Sequence, residues 1–282
     1  MFVVLVTNLF AEKWFDFCTF PLQMKYIKYI FIFISAVLFS QNSIDVELIE
    51  KTKLQATNIV GFDSFKSLIY IQNNSLVINR ASGTITYSNA QLGYITSANA
   101  FNPLKINLFY KDFNTVLVLD NRLSEITKVD FNSIKPFRNI SHIAIGSDNT
   151  IWCFNQNTQE LELFDYRTNS TKAKTLPIDE NVIQITSNYN TCWLLTKKYL
   201  YVYNYFGSLL KKMKNDGYTS LNESNENIVL KKDNSLFYLK NDTGNVIPIN
   251  LPNLLIKQFF VTNETLYIYD DEFLYQYQLI TE

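Results

Sequence analysis

The segment TCWLLTKKYLYVYN (residues 191–204) decides how the rest of the chain is read. Two short runs rich in aromatic and aliphatic side chains flank a two-residue polar break at Lys197-Lys198, which is the pattern of a tight antiparallel hairpin. The pattern returns in SLIYIQNNSLVIN (67–79), NIVLKKDNSLFYLKN (227–241) and TLYIYDDEFLYQYQL (265–279). In every copy the first strand position precedes a fixed point in the second by seven residues: Leu68 to Ser75, Cys192 to Tyr199, Ile228 to Ser235 and Leu266 to Phe273. Because turn length sets register, this constancy across Asn73-Asn74, Lys197-Lys198, Lys232-Asp233 and Asp270-Asp271 makes the hairpin the repeating unit.

Two looser copies, TVLVLDNRLSEITKVDF (115–131) and TIWCFNQNTQELELFDY (150–166), complete the series. Marking one position in the second strand of each unit gives Ile69, Leu117, Trp152, Trp193, Val229 and Tyr267, separated by 35 to 48 residues. That period holds four short strands, the content of a propeller blade. In the third copy all four are predicted, at His142–Gly146, Thr150–Asn155, Glu160–Tyr166 and Lys172–Ile178. The last copy runs out after its third strand, while Ile44–Leu54 is an alternating segment left over at the other end. Closing the last blade with that segment would leave the ring without a free edge. The expected fold is therefore all-β, a propeller of about six four-stranded blades over 42–282, sealed by an N-terminal strand.

On these repeats the chain resembles the six-bladed β-propellers, such as NHL-type and YWTD-type repeat proteins and bacterial extracytoplasmic propellers. The resemblance spans about residues 44–282 and concerns architecture. No recurring YWTD, paired GH and WD, or tryptophan docking repeat is present, so it implies a fold and carries over no site residues.

Composition agrees: 22 Phe and 18 Tyr stand against 7 Gly and 6 Pro, with 47% hydrophobic residues, enough apolar surface for a large core. A net charge of −1 gives no electrostatic reason to expect nucleic acid as partner. From Met24, MKYIKYIFIFISAVLFSQNS has a short basic start at Lys25 and Lys28, an apolar stretch over Ile30–Phe39 and a small-residue boundary at Ser40-Gln41, matching a secretory signal over 24–41. The apolar stretch is too short to span a bilayer comfortably, so no stable membrane span is expected in the mature chain. Residues 1–23 precede that signal, and translation from Met24 is the simplest reading. These features predict an exported monomer, periplasmic or secreted.

No phosphate-cradling loop, nucleophile elbow, zinc motif or calcium loop appears, and neither a metal nor a cofactor is expected. His142, the single histidine, opens the first strand of a blade and is placed near the central channel, with a structural role preferred to a catalytic one. Cys153 and Cys192 fall on the same side of neighbouring blades, which predicts two buried free thiols rather than a disulfide. Trp152 and Trp193, with Tyr70, Tyr238 and Tyr267, recur at the blade period and are assigned to packing between blades rather than to sugar stacking. Candidate binding residues are the charged ones on second-to-third strand turns and nearby connections: Arg122, Arg138, Lys197, Lys198, Lys232, Asp270 and Asp271. The function expected is a non-catalytic scaffold for another envelope or secreted protein. The alternatives are a hydrolase or lyase acting on a sugar or lactone at the channel mouth, and a carbohydrate-binding propeller.

Overall fold

The computed structural model describes residues 43–63, 65–225, 227–240 and 244–280. The segment 1–23 with Cys18, and the signal expected over 24–41, lie outside the described residues.

Strand β1 (Ile44–Lys53) precedes all the others. The first sheet is β2 (Asn58–Phe62), β3 (Leu68–Gln72), β4 (Ser75–Arg80) and β5 (Gly83–Tyr87), and the second is β6 (Ser97–Asn99), β7 (Ile106–Tyr110), β8 (Thr115–Leu119) and β9 (Glu125–Asp130). The third comprises β10 (Ile140–Ile145), β11 (Thr150–Asn155), β12 (Glu160–Asp165) and β13 (Ser170–Lys174). The fourth comprises β14 (Val182–Ser187), β15 (Thr191–Thr196), β16 (Tyr199–Asn204) and β17 (Leu209–Lys214). The fifth group is β18 (Ser220–Ser224), β19 (Asn227–Lys232), β20 (Ser235–Leu239) and β21 (Val246–Asn250). In the sixth, β22 (Gln258–Thr262), β23 (Thr265–Tyr269) and β24 (Phe273–Ile280) are followed at the outer edge by β1.

β1 runs antiparallel to β24 from Asp45↔Ile280 to Lys53↔Phe273, and its first two residues also pair in parallel with β21. The fifth and sixth groups are thereby joined in one eight-stranded sheet. Asn73 and Asn74 show how sequence sets register: both have positive φ, as a type I′ hairpin turn requires, and asparagine tolerates that backbone.

Apolar side chains from each sheet meet those of the next in six clusters. Ile69 and Leu76 of the first sheet meet Ile106 and Leu117 of the second, and Phe109 and Val116 of the second meet Ile140 and Ile151 of the third. Trp152 lies between the third and fourth sheets, and Trp193 between the fourth and fifth. Val229 and Leu236 pack on Leu266 and Tyr277, while Ile59 with Tyr70 packs on Phe260, Tyr269 and Tyr267, joining the last sheet to the first. The aromatic residues that recur at the blade period are thus packing residues. Cys153 sits between the second and third sheets and Cys192 between the third and fourth; both thiols are free and fully buried, and burial raises both pKa values.

The second repeat corrects the sequence reading. Leu117 is on a third strand, β8, because the second strand of that sheet is β7, Ile106–Tyr110. β7 and β8 are joined by a short 3₁₀ turn, Lys111–Phe113, instead of a two-residue polar break, so the hairpin pattern does not show there. The turn after β19 is likewise Asp233-Asn234, with Lys232 still in the strand, and that after β23 spans three residues, 270–272.

Strand alternation divides the loops between two faces. The second-to-third strand turns and the connections between sheets lie on one, here called the connection face. Loops from first to second and from third to fourth strand lie on the other, the loop face.

Candidate functional site

The first strands of all six four-stranded groups line one cavity of about 720 Å³. Its wall mixes apolar side chains with hydroxyls and carboxamides: Asn58, Ser97, Asn99, Ser141, Gln184, Thr186, Asn222 and Thr262 are among the lining residues, with His142 and Glu223. Several of these side chains bond to the next first strand. Gln184 accepts from the Leu221 N–H at 3.0 Å and donates to the Leu221 carbonyl at 2.8 Å. Asn222 accepts from Val261 N–H at 2.8 Å, and Gln258 accepts from Ile59 N–H at 2.6 Å while donating to the Thr57 carbonyl at 2.9 Å.

His142 holds the matching position in the third sheet. It is the third residue of β10, as Gln184 is of β14, and both follow a bulge at the second residue. Its Nδ1 lies 2.9 Å from Ser141 Oγ. Burial, then the Lys111 charge, pulls its pKa below the ordinary histidine value, against the backbone of Ile183 on the neighbouring first strand, which favours the charged ring. The histidine placed near the channel by sequence lines the channel.

On the connection face, three turn asparagines are engaged in long-range bonds. Asn74 accepts from Ile95 N–H and donates to the Gly93 carbonyl, both at 2.8 Å. Asn114 does the same with Ile140 N–H and the Arg138 carbonyl at 3.0 and 2.6 Å, and Asn234 with Ile256 N–H and the Leu254 carbonyl at 2.8 and 2.6 Å. In each case a turn asparagine staples the strand that enters the next sheet.

The seven charged candidates are not one site. Arg122 follows β8, so it lies on the loop face, away from the others; the misplaced second repeat is the reason. Arg138 is buried: its Nε donates to Glu162 Oε2 at 3.0 Å, its Nη1 and Nη2 to the Pro136 carbonyl and Thr171 Oγ1, and its guanidinium lies 4.9 Å from the Phe164 ring. Burial pushes the Glu162 carboxyl up, but bonds from Thr171, Asn155 and Arg138 with the Arg138 charge outweigh it and leave the pKa below the usual carboxylate range. Asp270 caps the N–H groups of Glu272 and Phe273 and accepts from the Tyr275 hydroxyl; these bonds hold its pKa down against burial. Lys232 is half-buried in β19, whereas Lys197, Lys198 and Asp271 are exposed turn residues.

The loop face carries what the sequence reading missed. Its turns are capped locally: Asp63 accepts from Phe65 and Ser67 N–H, Asn99 from Phe101 N–H, Asn102 from Leu104 N–H, and Asn188 from Asn190 and Thr191 N–H. Such Asx turns complete their own hydrogen bonding and leave intervening side chains pointing outward. Phe65, Phe101, Leu104 and Tyr189 are all exposed large apolar residues. Phe101, a lining residue of the cavity, meets Tyr189 edge-to-face at 5.1 Å, with 49% and 41% of their surfaces still accessible. Lys105 Nζ ties the Phe101 loop to the Asp148 carbonyl and Asn149 Oδ1, and Asn188 Nδ2 ties the Tyr189 loop to Glu223 Oε1 at 3.1 Å. A legible signal existed: an Asp or Asn two residues before an aromatic after a strand, as in Asp63/Phe65, Asn99/Phe101 and Asn204/Phe206.

Among the described residues, no group of three His, Cys, Asp or Glu could hold a metal, and no helix is long and apolar enough to cross a membrane.

No family model matches the chain, and no curated protein matches it. Solved structures do. Catalytically inactive virginiamycin B lyase from Staphylococcus aureus with Quinupristin is 12% identical, with a TM-score of 0.59 over 86% of this chain and 97% of that one. A streptogramin B lyase is 14% identical, at 0.59 over 84% and 88%. BamB from Moraxella catarrhalis is 12% identical, at 0.51 over 83% and 99%. At these identities the likeness establishes the fold: the chain is a β-propeller.

Proposed function

We propose that this chain is a non-catalytic, exported β-propeller that acts as a monomer and holds a protein or peptide partner at the loop-face mouth of its channel. The observation that carries the reading is the Phe101–Tyr189 pair, two half-exposed aromatics packed edge-to-face, with Phe101 at the lip of the cavity. Exposed aromatic clusters beside amide-rich walls have the chemistry of protein interfaces, where rigid rings supply contact area and carboxamides supply orientation. The signal-like segment over 24–41 would deliver the domain to the periplasm or medium. The competing surface is the exposed Lys197-Lys198 pair on the connection face.

Site-specific photocrosslinking in the producing cell tests the reading. A photoreactive phenylalanine analogue at position 101 is expected to yield a discrete protein adduct, and the same analogue at position 197 none. Adducts at 197 alone, or none at either position with the protein folded and abundant, would reject it.

A further inference from the structure

We infer that the channel receives an extended peptide as a partial strand along β6, in the one sector of the wall that is not latched. This deepens the protein- or peptide-binding reading and rests on it. Four successive junctions between first strands are bridged by side chains: Ser187 of the fourth sheet donates to the Ile145 carbonyl of the third, Gln184 reaches the fifth, Asn222 the sixth, and Gln258 the first. Each bridge occupies backbone groups on the channel-facing edge of the neighbouring strand. Among the described residues, no side-chain hydrogen bond joins β2 to β6 or β6 to β10.

The sequence accounts for the gap. β2 has the same bulge as β14, where Gln184 follows the bulge and makes the bridge; in β2 the residue at that position is Gly61. A Cβ built there would meet nothing within 4 Å, so open space stands where β14 carries a side chain. Across the gap, all six residues from Thr96 to Phe101 line the cavity. Ser97 is small, and Ala98 and Ala100 pack into the core between the first two sheets, so little stands between a ligand and the β6 backbone. An uncovered strand edge presents a row of main-chain donors and acceptors, whose natural complement is another extended chain. β6 is three residues long, about 10 Å at the rise of a strand, so the pairing is short. A chain continuing toward the loop face would bring a side chain against Phe101 and Tyr189, which favours an apolar residue there. A saccharide could use the hydroxyls and amides of the wall, but it has no use for a free strand edge.

An array of fluorescein-labelled, end-blocked pentapeptides with a central Phe and varied flanks, read by anisotropy against the full-length protein, provides the test. The best binder is remade with alternate backbone amides N-methylated, which deletes main-chain donors and leaves every side chain in place. N-methylation in one of the two alternating registers is expected to weaken binding tenfold or more, and Ser97→Trp, which fills the sector, to abolish it with the thermal midpoint preserved. If Phe101→Ala weakens binding while neither register of N-methylation nor Ser97→Trp does, the mouth binds peptide and the strand pairing falls. If no pentapeptide binds while a soluble oligosaccharide panel does, both readings fall. Should Ser97→Trp unfold the protein, the N-methylation arms alone decide.

Discussion

The two faces of this propeller satisfy their turns in opposite ways. On the connection face, Asn74, Asn114 and Asn234 reach some twenty residues along the chain to hold the strand entering the next sheet. On the loop face, Asp63, Asn99, Asn102 and Asn188 cap amides only two to four residues away. Long-range staples make Asn74, Asn114 and Asn234 part of the fold. The Asx turns of the loop face close on themselves, and the side chains they present, Phe101 and Tyr189 among them, stay half-exposed and available for a partner.

If that contrast is right, connection-face substitutions should cost stability and loop-face substitutions should cost binding. The largest effect is expected from Arg138→Met, which strands the Glu162 carboxylate in a buried site: about 3–5 kcal/mol by urea denaturation at neutral pH. Glu162 has a folded-state pKa below its unfolded value, so its contribution is present above about pH 4.3 and lost as pH falls through the folded pKa. The gap between wild type and variant should therefore narrow in acid; a gap that widens would contradict the assignment. Asn114→Ala, which leaves the Ile140 N–H and the Arg138 carbonyl unpaired at a buried site, should cost about 2 kcal/mol or more, and the exposed Asn234→Ala about 1 kcal/mol. Equal costs at the two positions would show that the staples act through something other than burial of the groups they satisfy.

Phe101→Ser with Tyr189→Ser should lower stability by less than about 1 kcal/mol, since the pair is half-exposed. A loss comparable to that of Asn114→Ala would erase the distinction between the faces. The smallest effect concerns His142. Its folded pKa lies below about 6.5, so the unfolded chain takes up the proton first and stability should decline as pH falls through that value. His142→Gln, which places in β10 the residue type that β14 carries at the matching position after its bulge, should keep the neutral-pH midpoint and remove that decline, as read by urea midpoints at pH 7.5 and 5. A variant that keeps the decline would relieve His142 of the pH dependence.

The propeller was legible because hairpins are local. Seven-residue spacing across a polar break, as in 191–204, sets register within one short stretch, and four copies of it reveal the period. The second repeat was misaligned where a 3₁₀ turn replaced the polar break, and Arg122 went to the wrong face with it. Arg138 was misread for a different reason. A charge on a connection looks solvated in sequence, and only packing against Phe164 with Glu162 in reach makes it a buried ion pair.

By itself, then, the sequence determined the strands, their pairing in hairpins and the packing role of Trp152 and Trp193, because each follows from alternation and spacing between near neighbours. Tertiary structure alone decided which polar residues are spent on the fold and which are free. Whether Asn74 binds a partner or its own chain depends on what stands beside it nineteen residues later, and only the packed sheets show that open space lies beside Gly61. Those are properties of distance between strands, and no local pattern encodes them.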